Sequence, residues 1–445
     1  MLVLRCIVVF LPKFFQDMEN IKVFKFGGAS IKSAENINNV VSILEKHKTQ
    51  KLMIIVSALG KTTNQLEQVV NHRSDKDQAL KQLEMVKSNH LEIIAALGLG
   101  EDTNLLNELN DLLVEIEWSL EEYGAEYDYI YDQIVSVGEL LSSKILVAKI
   151  NQLGVDTQWL DARGVIITDD IYREGWVDWE RTTDNIHNKV KPLFNKVQFV
   201  LSQGFIGSTM ENNTTTLGRE GSDYSAAIFS HGLDSSDMTI WKDVPGVLTG
   251  DPKLFKNVTK LDSLSYREAI EMTYYGAKVI HPKTIKPLQN KNIPLFVKSF
   301  LDPDGDGTLV SDEVLESYPP IITIEDNQAI INISTRDFSF VAEHHLSYLF
   351  QEIAKHRLQV NMMQNSAISF SVCVNNIDDR VEKFNNQIQE TFKTKVERNL
   401  ELINIRHYQK DLVERMKMGK IIRLEERKGD MIQLVVKDIP KMERL

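Results

Sequence analysis

The chain has 445 residues, of which 42% are hydrophobic and 26% charged, and its formal net charge is −12. This size allows about two to three domains with sizeable cores, and the acidic balance works against nucleic acid, whose binding rests on many Lys and Arg contacts that release counterions. Two cysteines hundreds of residues apart, Cys6 and Cys373, exclude a disulfide framework and make a reducing, cytoplasmic setting the expectation.

The opening MLVLRCIVVFLPKFF is interrupted by Arg5 and is too short for a membrane helix, which needs about 18 apolar residues. Residues 1–17 read as an extension, possessing no small-residue cleavage signal, and Met18 reads as a second start. No membrane partner is expected. From Ile21 the text IKVFKF, GGAS, an amphipathic stretch from Ala34 to Lys46 and the run LMIIVSAL give strand, glycine turn, helix and buried strand. Residues 75–97 and 103–123 carry apolar residues at helical spacing and predict a helical insertion over about 75–125.

The alternation then resumes with a helix from Gly138 to Ile150, QWLDARGVIIT, a helix from Thr182 to Phe194, and VQFVLSQGFIG. TTTLGREGSDYSAAI, MTIWKDVPGVLTGDP, the helix SYREAIEMTYYGAKVI and the strand IPLFVKSF follow. Strands alternating with helices predict a mostly parallel sheet sandwiched by helices, here over residues 18–308. After a linker at 309–319, residues 320–396 read as strand, helix, two strands, helix, strand, the βαββαβ order of a ferredoxin-like sandwich, and 397–445 as a second, shortened copy.

The stretches that can carry chemistry fall at strand-to-helix junctions, the edge where an α/β sheet places ligands. KFGGAS (Lys25 to Ser30) combines glycines that let backbone N–H groups approach an anion with a neighbouring lysine, yet it serves equally as a plain turn. LGREGSDYSAA offers Arg219, Gly221, Ser222 and Asp223 at a helix start, suited to a carboxylate or simply to capping. Ser57, Thr62, Thr63 and Asn64 in SALGKTTNQL, and Glu139 in VSVGEL, also stand where caps stand. WKDVPGVLTGDPK is a turn-rich loop, and GAKVIHP brings Lys278 and His281, the latter given no catalytic role.

The order KFGGAS, VSALGKTTN, VGEL, GFIG with TTTLGREGSDYSAA, WKDVPGVLTGDP and GAKVIHP over residues 21–300 closely resembles the aspartate kinases, which have the amino-acid kinase fold and, in many members, C-terminal ACT regulatory domains. The resemblance implies an ATP-dependent phosphotransferase that converts L-aspartate to 4-phospho-L-aspartate, the first step of lysine, threonine and methionine biosynthesis. It implies that Lys25, Asp223 and Lys278 are catalytic, Asp223 orienting the two lysines. ATP would be held by Lys25, Gly27, Gly28, Ser30, Ser57, Lys242, Asp243, Leu248, Lys253 and Lys278. Aspartate would be held by Thr63, Glu139, Arg219, Glu220, Gly221 and Ser222, with Arg219 on a carboxylate and Glu139 on the α-ammonium. Magnesium would be held through ATP phosphates, with no dedicated protein site. The chain departs from the family's usual residues at Ala29 and Lys242 (Thr), Glu220 (Gly) and Leu248 (aromatic).

The ACT-like tail implies an amino-acid effector, lysine or threonine, and a homodimer or higher homo-oligomer; a purely structural role for the tail is an equal reading. The unusual Met362, Met363 and Gln364 leave the effector open. No homoserine dehydrogenase domain is expected in the residues that follow the kinase block. A sibling kinase acting on glutamate, N-acetylglutamate or a nucleoside monophosphate, and a catalytically silent amino-acid sensor, are the alternatives. One further motif, DPDGDGTLVSDE from Asp302 to Glu313, fits a calcium-loop pattern. Strand text before it and Pro319 behind it remove the flanking helices such a loop needs, so a charged linker is expected there.

Overall fold

A computed structural model describes residues 20–277, 280–337 and 339–439. The expected extension at 1–17, Cys6 and Lys278 lie outside them. The chain packs as two compact units, one of residues up to Asp243 with Ile293–Phe296, the other of Val244–Asn292 and Val297 onward. The division at Asp243 falls inside the block read as one catalytic domain.

In the first unit β1 (Ile21–Phe26) runs through a short 3-10 turn, Gly28–Ile31, into α1 (Ala34–Glu45) and β2 (Lys51–Val56). Helices α2 (Thr62–Asn71), α3 (Lys76–Ala96), α4 (Thr103–Leu120), α5 (Tyr127–Val135) and α6 (Val137–Asn151) follow. The expected insertion is therefore α3 and α4, each opened by an aspartate, Asp75 or Asp102, whose side chain caps a backbone N–H. β3 (Thr157–Leu160), α7 (Trp179–Asn185), β4 (Phe199–Gln203), the hairpin β5 (Ile206–Ser208) and β6 (Thr214–Thr216), α8 (Gly221–Leu233) and β7 (Asp237–Lys242) complete it.

Its sheet has the order β3-β4-β2-β1-β7, every pair parallel. Buried Val23, Phe26, Leu52, Ile54, Phe199, Leu201 and Ile240 point to both faces, as continuous apolar strand text requires of a sheet covered on both sides. The single helix expected over 182–194 is instead the end of α7, a π-helical turn (Ile186–Val190) and a 3-10 turn (Lys191–Asn195). Pro192 has no N–H to continue an α-helical ladder.

In the second unit β8 (Ser263–Ser265) leads to α9 (Tyr266–Tyr274) and α10 (Pro282–Asn290). His281 caps α10, accepting the Lys283 N–H at 3.2 Å. β9 (Leu295–Ser299) precedes the acidic motif at 302–313 and β10 (Thr308–Ser311) forms within it, so a strand enters the motif and another occupies its second half where a calcium loop needs flanking helices. β10 pairs in parallel with β8, which puts residues 309–311, read from sequence as linker, inside a strand. Buried Thr308 fixes that strand by accepting the Val247 N–H at 2.8 Å and donating to the Leu261 carbonyl at 2.5 Å.

The remainder is β11 (Ile321–Thr335), α11 (Glu343–Lys355), β12 (Val360–Asn365), β13 (Ser369–Asn375), α12 (Asp378–Ile388), β14 (Phe392–Arg406), α13 (Lys410–Lys417), β15 (Lys420–Lys428) and β16 (Met431–Asp438). They form one six-stranded antiparallel sheet, β12-β13-β11-β14-β16-β15. The boundary expected at 396–397 lies within β14. Its first half pairs with the second half of β11, next to β13, while its second half, Glu401–Arg406, pairs with β16. The start of β11, Ile321–Glu325, flanks the second half of β14 on its other side. The second copy is thus short in sequence but completed in space by the first strand of the region.

Arg406, at the end of β14, makes a two-pronged pair with buried Glu268 of α9 (Nε to Oε1 2.8 Å, Nη2 to Oε2 2.9 Å) and reaches Glu271 at 3.1 Å. Asn404 donates to the Tyr275 carbonyl at 2.8 Å and accepts from Gln433 at 2.7 Å.

Candidate active site

The site is built at the carboxyl ends of β1, β2 and β7 in the first unit. β1 ends in Lys25 and Phe26, and the chain turns at once through Gly27 and Gly28. A side chain at Gly28 would meet the Ala58 carbonyl at 2.8 Å and the Gly60 carbonyl at 3.0 Å, so only glycine allows the loops after β1 and β2 to close on each other. The Gly60 N–H donates to the Gly28 carbonyl at 3.2 Å and the Ser57 N–H to that of Phe26 at 3.1 Å. Buried Ser30 donates to the Trp241 carbonyl at 3.2 Å, tying the glycine turn to β7.

Asp223 enters from the first turn of α8, wholly buried. Lys25 Nζ lies 2.5 Å from its Oδ1, and Lys242 Nζ, at the end of β7, lies 3.6 Å from its Oδ2. Burial opposes ionisation of Asp223, but the two lysinium groups outweigh it and hold the carboxyl below the usual range.

Lys25 and Asp223 line a cleft of about 510 Å³ with Gly28, Ser57, Thr63, Glu139, Arg219, Glu220, Gly221 and Ser222. Glu139 stands in the first turn of α6, buried, with Oε2 unpartnered among the described residues. Burial pushes its carboxyl well above the ordinary range against the opposing pull of Lys25 and of the Ala58 N–H. Arg219 and Glu220 are exposed at the lip. Glu220 takes a left-handed conformation, φ 55°, just before α8.

All six residues implied for aspartate therefore share one cleft with Lys25, Gly28, Ser57 and Asp223. Gly27 and Ser30 lie in the adjoining turn, and Asp243 is exposed just beyond Lys242. Leu248 and Lys253 belong to the second unit, the former half-buried in a bridge to Lys260, the latter exposed. Among the described residues the second lysine on Asp223 is Lys242. Tyr131 and Phe205 also line the cleft and were not singled out by the sequence. The tyrosine cluster YDYIY was the available signal.

Fold and cleft together define an α/β protein with a lysine–aspartate cluster and a glycine turn, not a Walker loop, at the carboxyl edge of a parallel sheet. The chain belongs to the amino acid kinase family, whose model matches residues 20–299, and within it to the aspartokinases. It is 30% identical over 364 residues to lysine-sensitive aspartokinase 3 of Escherichia coli, covering 80% of this chain and 78% of that protein. It is 29% identical over 367 residues to the chloroplastic bifunctional aspartokinase/homoserine dehydrogenase 1 of Arabidopsis thaliana, covering 79% of this chain and 40% of that protein. The chain thus spans well under half the length of that plant relative. The crystal structure of E. coli aspartokinase III in complex with aspartate and ADP superposes with a TM-score of 0.82 at 26% identity, covering 94% of this chain and 96% of that one. Among the described residues no helix is long and apolar enough to cross a membrane.

Proposed function

We propose that the cleft transfers the γ-phosphoryl group of ATP to the side-chain carboxylate of L-aspartate, giving 4-phospho-L-aspartate. The observation that carries this reading is the meeting of a buried lysine–aspartate pair with a buried acid, Glu139, whose Oε2 has no partner among the described residues, and an exposed guanidinium, Arg219, in one cleft. A free amino acid presents one ammonium and at least one carboxylate, and this cleft offers a group of each opposite sign. The solved E. coli relative that holds aspartate and ADP supports the same assignment.

The aspartate side chain is ionised at neutral pH and needs no general base. The barrier is repulsion between two anions, and Lys25 and Lys242 supply positive charge where it develops. Asp223 holds both lysines in place, while Thr63, Gly221 and Ser222 contact the amino acid. Gly27, Gly28, Ser30, Ser57, Asp243, Leu248 and Lys253 serve the nucleotide, with Lys278 as a further charge. A magnesium ion carried on the ATP phosphates adds positive charge when bound, and no cluster of three or more His, Cys, Asp or Glu side chains able to hold a metal occurs among the described residues.

The six-stranded sheet, as the ACT-like region, is assigned the role of effector seat, and the E. coli aspartokinase III structure in complex with lysine and aspartate supports an amino-acid effector. A coupled ADP-release assay tests the whole reading. ADP release with aspartate, and not with glutamate, N-acetylglutamate or UMP, is expected, with inhibition by lysine or threonine. Absence of aspartate-dependent release overturns the enzymatic reading.

A further inference from the structure

We propose that Asp132 is a positioning residue for the amino-acid site, fastening the arm that carries Arg219 to the helix pair that carries Glu139. This rests on the reading of the cleft as an aspartate site.

Asp132 lies on α5, fully buried, and touches neither the cleft nor the lysine cluster. Its Oδ2 accepts the N–H of Thr216 at 2.8 Å and the N–H of Arg173 at 2.9 Å, and its Oδ1 accepts the Thr216 hydroxyl at 2.7 Å. The next residue, Gln133, holds the same strand from the side, donating to the Thr214 carbonyl at 2.9 Å and accepting the Thr214 N–H at 3.3 Å. Two consecutive side chains of α5 therefore replace a missing strand partner for β6.

Each end of this fastening leads into the cleft. On one side β6 runs through Leu217 and Gly218 to Arg219. Gly218 has φ +75°, and a side chain there would crowd the Arg173 carbonyl at 3.3 Å. Arg173 is the other backbone that Asp132 holds, and the Gly175 N–H donates to the Thr216 carbonyl at 2.9 Å, so the two segments are bound twice. On the other side, Tyr131 precedes Asp132 in sequence, lines the cleft, and has the Arg173 guanidinium 4.2 Å from its ring centre. α5 passes into α6 through the single residue Ser136, and Glu139 stands in the next turn.

A buried carboxylate is a costly way to hold a strand. Burial pushes the Asp132 carboxyl up to about 6 against the pull of its three donors and of Arg173. Apolar packing at this place would press the helix against the strand but leave the N–H groups of Thr216 and Arg173 without this acceptor. What the carboxylate adds is a fixed register between β6 and α5, which sets the separation of Arg219 and Glu139.

The test is steady-state kinetics of Asp132→Ala and Asp132→Asn beside the unaltered chain, with both substrates varied. An amide oxygen can accept both N–H groups while its NH2 donates to Thr216 Oγ1, so Asp132→Asn keeps the register. Asp132→Ala is expected to raise the aspartate KM about 10-fold or more while the ATP KM changes less than about twofold, and Asp132→Asn to restore most of the loss. Should Asp132→Ala fail to fold, Thr216→Val removes one of the three bonds and is expected to raise the aspartate KM alone, about threefold. Equal rises in both KM values, or an unchanged aspartate KM in a folded Asp132→Ala chain, overturn the proposal and leave the proposed activity standing. If the unaltered chain does not turn over aspartate, the functional reading fails instead. Amide exchange at Thr216 and Arg173 then decides whether the fastening exists, unchanged protection in Asp132→Ala overturning it.

Discussion

Lys25 and Asp223 form a buried 2.5 Å ion pair at the head of the sheet, one residue from β1 and the other from α8. Asp223 also meets Lys242 at 3.6 Å, so one carboxylate holds two cations. Replacing it by the isosteric amide removes the charge that fixes both lysines and keeps the volume. Asp223→Asn is expected to lower kcat about 10²- to 10³-fold, with much smaller effects on either KM. Steady-state assays decide this, and a loss expressed in the aspartate KM alone would show that Asp223 belongs to substrate binding.

Glu139 has an elevated proton affinity because it is buried, and its principal opposing influences are Lys25 and the Ala58 N–H. Only the ionised acid can pair with an ammonium, so the amino acid selects the deprotonated form. Aspartate binding is therefore expected to release a proton, and the aspartate KM to rise as pH falls through the elevated value. Calorimetry in buffers of different ionisation enthalpy measures this. A binding heat that does not depend on the buffer would refute it, and Glu139→Gln should abolish the release.

Glu220 pairs a left-handed backbone with a negative charge on the wall of the cleft proposed to receive aspartate. Glycine occupies that backbone region without the steric cost of a Cβ, so Glu220→Gly is expected to stabilise the fold by about 1 kcal/mol. Loss of the charge should also lower the aspartate KM about two- to fivefold, less so at high salt. Denaturant unfolding and kinetics at two ionic strengths test the two parts separately.

Arg406 and Glu268 are both nearly inaccessible, and each satisfies the other through two hydrogen bonds. Removing the guanidinium leaves a buried carboxylate without its main partner, and Arg406→Ala is expected to cost about 3–5 kcal/mol. The double variant Arg406→Ala with Glu268→Ala should recover a large part of that loss. A double-mutant cycle by chemical denaturation measures the coupling, and additive losses would exclude it.

Most of the element order was legible because parallel strands buried on two faces are written as unbroken apolar runs, IKVFKF and KLMIIV among them. Of the cleft residues, Lys25, Gly28 and Ser57 stand just at or after such strands, while Thr63, Glu139 and Arg219 to Ser222 were reached through the resemblance to the aspartate kinases. Helix α5 was not legible. Its text, YDYIYDQIV, carries an apolar stripe at helical spacing in Tyr127, Ile130, Tyr131, Ile134 and Val135, but three strand-favouring tyrosines and a buried aspartate within nine residues obscured it. The role of Lys242 on Asp223 was hidden too, since nothing local reveals which distant helix a strand's last residue will face. Residues 309–311 looked like linker because β10 is only four residues long and its partner, β8, is itself a short strand. The sharing of β11 and β14 between two halves of a sheet is a pairing of distant segments, and such pairings leave no periodicity behind.

That sharing has a consequence for anyone who would cut or graft this chain. Each long ribbon begins in one half of the sheet and finishes in the other, so the two halves are braided rather than strung in series. Cleavage after residue 396 would not release a tail module; it would strip both halves of a border at one stroke. A chimera that respects the molecule must move residues 321–438 as one piece.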